Sequence, residues 1–310
     1  MTQPQTNTLP PVAPHAGSTP ADRVLAVVVT YHPAPDVAQH LREICRQVDA
    51  LVVVDNGSPN WQWIEALTTE LGASFVRNER NEGIARALNQ GVQRAQAGGY
   101  RWLAMFDQDS SLPTDMVGGL LKLVASHPQQ ARIAAVAASY RDRNLAGNHR
   151  NDSYVLSEGP HWRLMRTLIT SGSLVRVDTF ASVGLFDERL FIDFVDHDHC
   201  QRLRGAGWLL LQSPDLVLGH AIGRQSTHRF LWRTVHCTNH SPTRRYYITR
   251  NQLEFYRRYL LAEPRWALRG LLNLAFTSVL VVLYEQQRPA KVAAMARGLW
   301  HFATRRFGPL

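Results

Sequence analysis

Cysteine is scarce: the 310-residue chain has three, Cys45, Cys200 and Cys237, scattered and without a CxxC pair. An odd, dispersed set excludes a disulfide framework and fits a reducing compartment. Long apolar runs are also missing. The longest, Leu271–Tyr284, has 14 residues and includes Asn273, Thr277 and Ser278, whereas a membrane-spanning helix wants about 20 apolar residues. It predicts an interfacial or a buried helix, and Arg265, Arg269, Arg288 and Lys291 flank it as an acidic lipid surface would require. Residues 1–22 have no apolar core and no Lys or Arg, so a disordered leader is expected rather than a signal peptide. No internal repeat is present. Acidic residues are rare in one region: Arg244 to Leu310 holds three Asp or Glu against twelve Lys or Arg, and the charges before Arg244 cancel. The entire net charge of +9 thus sits in the C-terminal 67 residues, which suits an anionic partner.

What the chain does have is alternation. Val24–Thr30 is a continuous apolar run that reads as a strand buried on both faces, hence parallel. A helix follows from Asp36 to Val48, then a strand Leu51–Val54, a helix Trp61–Leu71 and a short strand Ala73–Val76. A helix Ile84–Ala97, a strand Trp102–Phe106, a helix Thr114–Ser126 and a strand Ile133–Ala138 complete the first half. Repeated βα units imply an α/β, Rossmann-like, mostly parallel sheet with helices on both faces, whose ligands bind at the carboxyl ends of the strands. Those ends are Thr30-Tyr31, Asp55-Asn56 and Asp107-Gln108-Asp109. The second half is more irregular. Arg141–Arg163 reads as loop or short strands, Leu174–Val177 as a strand, and Asp178–Val183 and Asp196–Ala206 as helices. Trp208–Leu211 and Leu216–Leu218 read as separate short strands, and Arg244–Leu261, Trp266–Tyr284 and Ala290–Thr304 as C-terminal helices.

Several polar residues could carry chemistry. If the backbone stays extended, Asp107 and Asp109 point to one side, where two carboxylates can hold Mg2+ or Mn2+ together with phosphate oxygens. Alone, the tripeptide is equally an ordinary strand-to-loop turn. Asp55 could accept a hydrogen bond from a base N–H or cap the turn at Gly57. The amides after Asn81 and Gly83, at a helix start, could face phosphates or simply be capped. Asp193, Asp196 and Asp198 cluster beside Phe191, Ile192, Phe194 and Val195, which is unusual for a solvated face, and one of them could take a proton from an acceptor hydroxyl. His220 could be a further metal ligand or a structural histidine. Arg244, Arg245 and Arg250 suit a diphosphate or an acidic lipid head, or a solvated basic face.

In order, these pieces resemble the inverting family 2 glycosyltransferases of GT-A fold, and within them the rhamnosyltransferase branch, including those that add a second rhamnose in rhamnolipid synthesis. The matching stretches are Val28-Val29-Thr30-Tyr31, Asp55-Asn56-Gly57-Ser58, the spaced set Asn81, Gly83, Ala85, Ala87, Asn89 and Gly91, and Asp107-Gln108-Asp109. They continue through Ser171-Gly172-Ser173, Gly184-x-Phe186-Asp187-Glu188, Phe191-Ile192-Asp193-x-Val195-Asp196 and Arg244-Arg245-Tyr246-Tyr247-x-x-Arg250-Asn251. The resemblance covers roughly residues 24–260. It implies a transferase domain over 23–243 and a basic helical region over 244–310. It implies a nucleotide-sugar donor, dTDP-L-rhamnose, and a lipid or lipid-linked saccharide acceptor such as a mono-rhamnolipid or an O-antigen or capsule intermediate. Thr30 and Tyr31 would line the nucleotide site, Asp55 would bind the base, and Asn81 and Gly83 would belong to the donor site. Asp107 would lie near ribose and metal, Asp109 would bind the divalent metal, and Asp196 would be the general base. Many members carry Glu-Asp at the base position; here it is Val195-Asp196, with Asp193 available to compensate. The Gln-x-x-Arg-Trp pattern of processive synthases is absent, which implies a single addition. The expected location is the cytoplasmic face of the inner membrane, peripherally. A non-enzymatic membrane or nucleic-acid binder is the rival reading of the basic tail, but its interleaved Leu and Val are unlike a phosphate tracker, and nucleic acid is not an expected partner.

Overall fold

A computed structural model describes residues 22–142, 154–220 and 226–310, the side chains of residues 141, 142, 220 and 233 excepted. The expected leader therefore lies outside the described residues, apart from Asp22.

The first half follows the alternation closely. Strands β1 (Val24–Thr30), β2 (Ala50–Asp55), β3 (Ser74–Arg77) and β4 (Trp102–Asp107) are joined by helices α1 (Val37–Cys45), α2 (Trp61–Glu70) and α3 (Ile84–Ala97). These strands run parallel in the order β3-β2-β1-β4. After α4 (Met116–Ser126) come β5 (Ile133–Asp142), β6 (Val155–Glu158), β7 (Arg163–Met165) and β8 (Ser173–Arg176). Then follow α5 (Thr179–Val183), α6 (Val195–Gly205) and β9 (Leu209–His220). The full sheet has nine strands in the order β3-β2-β1-β4-β8-β5-β9-β7-β6, with β8 antiparallel between β4 and β5. The chain is therefore α/β with a mostly parallel sheet, as its pattern predicts. One apolar layer packs the strands against α3, α5 and α6 through Leu88, Val92, Phe180 and Leu203; the other packs them against α1, α2 and α4 through Leu41, Ile64 and Leu120.

Three elements differ from expectation. The two short strands read in 208–218 are one strand, β9, bent in the middle. The partner of β9 shifts from Ala138↔Ser213 to Ser139↔Val217, so Pro214, Asp215 and Leu216 bulge out of the ladder. Ser213 Oγ accepts the Asp215 and Leu216 amides that the bulge removes from it. Strand β5 runs to Asp142 because this continuation of β9 gives it a partner. A separate antiparallel hairpin, β10 (Ser226–Phe230) and β11 (Arg233–Cys237), turns at Leu231-Trp232; no glycine or asparagine marks that turn in the sequence.

Helices α7 (Pro242–Tyr259), α8 (Pro264–Tyr284) and α9 (Arg288–Ala303) close the chain. A carboxylate–arginine network joins them to the sheet domain. Glu254 accepts from Arg257, Arg258 and Arg305, and Arg258 also reaches Asp187 and Asp198. Glu263 of the α7–α8 turn pairs with Arg166 and Arg204.

Candidate active site

A cleft of about 310 Å3 opens at the carboxyl ends of β1, β2 and β4. Its walls include Tyr31, Asn56, Asn81, Gly83, Asp107, Gln108, Asp109 and Ile192. It lies where the topology of a parallel sheet puts ligands. The backbone does not stay extended through the Asp-x-Asp: β4 ends at Asp107, and Gln108 and Asp109 form a turn. Both carboxylates line the cleft nonetheless. The middle residue, which sequence reasoning left without a role, explains part of the geometry. Gln108 takes the Tyr31 amide on Oε1 at 2.8 Å and donates Nε2 to the Tyr31 carbonyl at 3.3 Å, tying the end of β1 to the end of β4. The Tyr31 ring is 45% exposed and open to stacking.

Asp55 is fully buried. Thr30 Oγ1 donates to its Oδ1 at 3.0 Å, and the Ser58 amide donates to Oδ2 at 2.8 Å. Both residues thus shape the wall from behind, and Asn56, the next residue, faces the cleft. Asn56 donates to Asn81 Oδ1 at 3.0 Å and accepts from Asn78 and the Glu82 amide; Asn81 Oδ1 also takes the Gly83 amide at 2.9 Å. A chain of neutral amides therefore fixes two loops at once.

The start of α3 does not present its amides to the cleft. The Ile84 amide donates to the Phe191 carbonyl at 2.8 Å, and the Ala85 amide to the same oxygen at 3.4 Å. Here the first amides of the helix are capped by a loop 107 residues on in sequence, the capped reading of the two that the sequence left open. Gly83 permits this approach: its φ is +86°, and a Cβ there would lie 2.6 Å from the Phe191 ring.

That loop joins the cleft to α6. Phe191, Asp193 and Phe194 have φ of +68°, +63° and +66°, each a strained conformation for a side chain of this size. The Arg-Arg-Tyr-Tyr-x-x-Arg-Asn stretch of α7 holds it. Asn251 Nδ2 donates to the carbonyls of Leu190, Ile192 and Asp193 at 2.7, 2.7 and 3.1 Å. Arg250, 1% exposed, donates to the carbonyls of Arg189, Leu190 and Gly308. Arg245, 4% exposed, pairs with Glu285. Arg245 and Arg250 therefore face inward and do not present a phosphate or acceptor site. Arg244 makes a two-pronged contact with Asp193, at 3.1 and 3.2 Å. Asp193 and Arg244, read separately in the sequence, thus meet each other. Burial pushes the Asp193 carboxyl above the usual carboxylate value, against the pull of Arg244.

Asp196 stands in the first turn of α6, where the helix dipole favours a negative charge. It does not line the 310 Å3 cleft; it lines a small separate space with Thr170, Ser173 and Cys200. Its Oδ1 accepts from the His197 amide at 2.8 Å and lies 2.9 Å from His197 Nδ1. Burial would raise its carboxyl, but the His197 cation and these hydrogen bonds hold it below the ordinary value. Burial likewise opposes the charge on His197, and Asp196 holds that imidazole above its ordinary value. His197 also lines a larger cavity, about 510 Å3, with Tyr140, Tyr154, Arg163, Met165 and Gln212. The loop 191–197 thus has the cleft at one end and this cavity at the other. His220 ends β9, but its side chain lies outside the described residues. Among the described residues no cluster of three or more His, Cys, Asp or Glu could hold a metal; the cleft offers two carboxylates.

Residues 25–185 match the profile of glycosyl transferase family 2. The chain is 32% identical over 236 residues to the dTDP-rhamnosyl transferase RfbF of Shigella flexneri, covering 74% of this chain and 78% of the relative. It is 24% identical over 309 residues to the N-acetylglucosaminyl-diphospho-decaprenol L-rhamnosyltransferase of Mycobacterium tuberculosis, covering 86% and 95%. The crystal structure of GalNAc-T7 with UDP, GalNAc and Mn2+ superposes with a TM-score of 0.56 at 15% identity, over 79% of this chain and 51% of that one. The fold is that of a GT-A glycosyltransferase. The protein belongs to glycosyl transferase family 2.

Proposed function

We propose that the chain is an inverting rhamnosyltransferase that moves L-rhamnose from dTDP-L-rhamnose to a hydroxyl of a lipid-borne acceptor, with a mono-rhamnolipid giving a di-rhamnolipid as the leading case. An O-antigen or capsule intermediate carried on a lipid is the second. The observation that carries this reading is the 32% identity to a dTDP-rhamnosyl transferase over 236 residues, together with a cleft holding both carboxylates of the Asp-Gln-Asp turn.

In this reading residues 23–243 are the catalytic domain and 244–310 a helical region that supports it and meets the membrane from the cytoplasmic side. The donor lies in the 310 Å3 cleft, with Tyr31 against the nucleotide and Asn81 and Gly83 beside it. Thr30 and the buried Asp55 set the wall from behind. Asp107 and Asp109 fit a divalent cation that keeps several phosphate and water ligands, the mode Mg2+ and Mn2+ favour. Bound there, such an ion would neutralise charge on the departing diphosphate. The acceptor enters from the 510 Å3 cavity. Asp196 takes the proton of its hydroxyl; the oxygen bonds to the anomeric carbon as the bond from that carbon to the diphosphate oxygen breaks. His197 orients the base. Asp193 and Arg244 hold the loop that carries it.

A panel of nucleotide sugars tests this, with nucleoside diphosphate release as the readout and extracted mono-rhamnolipid and lipid-linked saccharide as acceptors. Release that depends on dTDP-L-rhamnose and on a lipid-borne acceptor supports the reading. Preference for another donor removes it.

A further inference from the structure

The sequence marks 271–284 as apolar without saying which side of it meets what. The structure divides helix α8 lengthwise. Ala267, Gly270, Leu280 and Val281 are buried against α7 and the β10–β11 hairpin. Gln252 of α7 donates to the Gly270 carbonyl, and the Tyr284 hydroxyl to the Arg229 carbonyl of the hairpin. On the opposite side Leu268, Leu272, Phe276 and Val279 are 56, 62, 41 and 46% exposed. Their spacing of three and four residues makes one continuous stripe. The hairpin extends it. Phe230 rests edge-on against Phe276, ring centres 5.6 Å apart, and the two tip residues beyond it, Leu231 and Trp232, are 66 and 76% exposed.

Charge around this surface is of one sign. All three acidic residues of the C-terminal region are turned inward: Glu254 and Glu285 have side chains 2% and 1% exposed and held by arginines or Lys291, and Glu263 is held by Arg166 and Arg204. Exposed Arg229, Arg265, Arg269 and Arg288 lie on the hairpin and near the ends of α8. An apolar stripe with a basic rim, and an aromatic at its tip, fits the boundary between headgroups and acyl chains of an anionic bilayer. By length and composition α8 could cross a membrane. Crossing would strip it from α7 and the hairpin, so it lies in the interface instead.

We infer that the hairpin tip Leu231-Trp232 and the outer stripe of α8 form one docking surface for an anionic phospholipid bilayer, which brings the transferase to the surface that carries lipid-borne substrates. The inference deepens the proposed function and rests on it only for the acceptor. It is tested with the full chain by co-sedimentation with phosphatidylcholine vesicles, with and without phosphatidylglycerol, at low and high salt. Binding is expected to require phosphatidylglycerol and to weaken with salt. The double substitution Leu231→Ser, Trp232→Ser and the single Leu272→Glu should each lower the bound fraction by about fivefold or more, while dTDP affinity by calorimetry stays unchanged, which controls for folding. Wild-type protein that does not sediment, or variants that sediment as wild type, overturns the proposal. So does a wild-type dimer in light scattering that these variants dissociate, since the stripe would then be covered by a second copy. Absence of any rhamnosyl turnover refutes the functional reading and leaves the vesicle result standing.

Discussion

The cleft at the strand ends, proposed for the donor, and the side around Asp196, the proposed base, are held together by different chemistry. Around the donor cleft the ties are neutral amides: Gln108 to the Tyr31 backbone, Asn56 to Asn81 and Asn78, Asn78 to Gln90. Around the base they are arginines and carboxylates: Arg244 on Asp193, Arg202 and Arg258 on Asp198, Arg258 on Asp187 and Glu254. The neutral scaffold leaves the two aspartates of the turn as the charged residues of its lining, a setting that suits a divalent cation bridging to phosphate oxygens. The charged scaffold does something else. It ties α6, which carries Asp196, to helices that come after the sheet domain in sequence. The two sides meet along α3, where the Phe191 carbonyl accepts the first amides of the helix and Asn89 bonds Phe186 and Glu188.

Substitutions can break this comparison in graded steps. Asp196→Asn should act on chemistry alone: turnover falls about a thousandfold, and dTDP affinity by calorimetry changes little. Asp109→Asn acts on the other side. Its turnover should fall about a hundredfold, donor affinity should weaken, and wild-type activity should be lost in EDTA. Asn251→Ala strikes the loop at this junction, removing the side-chain donor of the Ile192 and Asp193 carbonyls while Leu190 keeps Arg250. A loss of about 1–3 kcal/mol in stability and about tenfold in turnover is expected, and dTDP binding should weaken as well because the cap on α3 loosens. The smallest effect is that of acid. The arginines around Glu254 and Asp187 outweigh their burial and hold each carboxyl down at about 2. Both are depressed relative to the unfolded chain, so the stability they contribute is complete above about pH 4.5 and is lost as pH falls toward about 2. Fluorescence of Trp266, which packs edge-on against Phe255 and Tyr256, should change in that window, with the donor cleft following later.

The first four strands were legible because runs such as Val24–Thr30 are buried on both faces and their polar ends mark the cleft. Asp107 and Asp109 could be placed there from position alone. The rest depended on contacts that no local pattern reports. Arg245 and Arg250 look like ligand binders in sequence; only burial shows that they serve main-chain carbonyls and Glu285. The Phe191 cap on α3 joins residues far apart in the chain, and the hairpin at Leu231-Trp232 lacks the usual turn residues. Asn251 was visible as part of a motif, but its task became readable only with the strained loop beside it.

A single carboxylate taking a proton from the acceptor while the diphosphate leaves on the far side has one stereochemical consequence. Proton NMR of the product formed from dTDP-L-rhamnose measures it directly. The account predicts a glycoside whose anomeric configuration is opposite to that of the donor. A product that retains the donor configuration would contradict it, because two successive displacements would then be needed and Asp196 could not be the lone base.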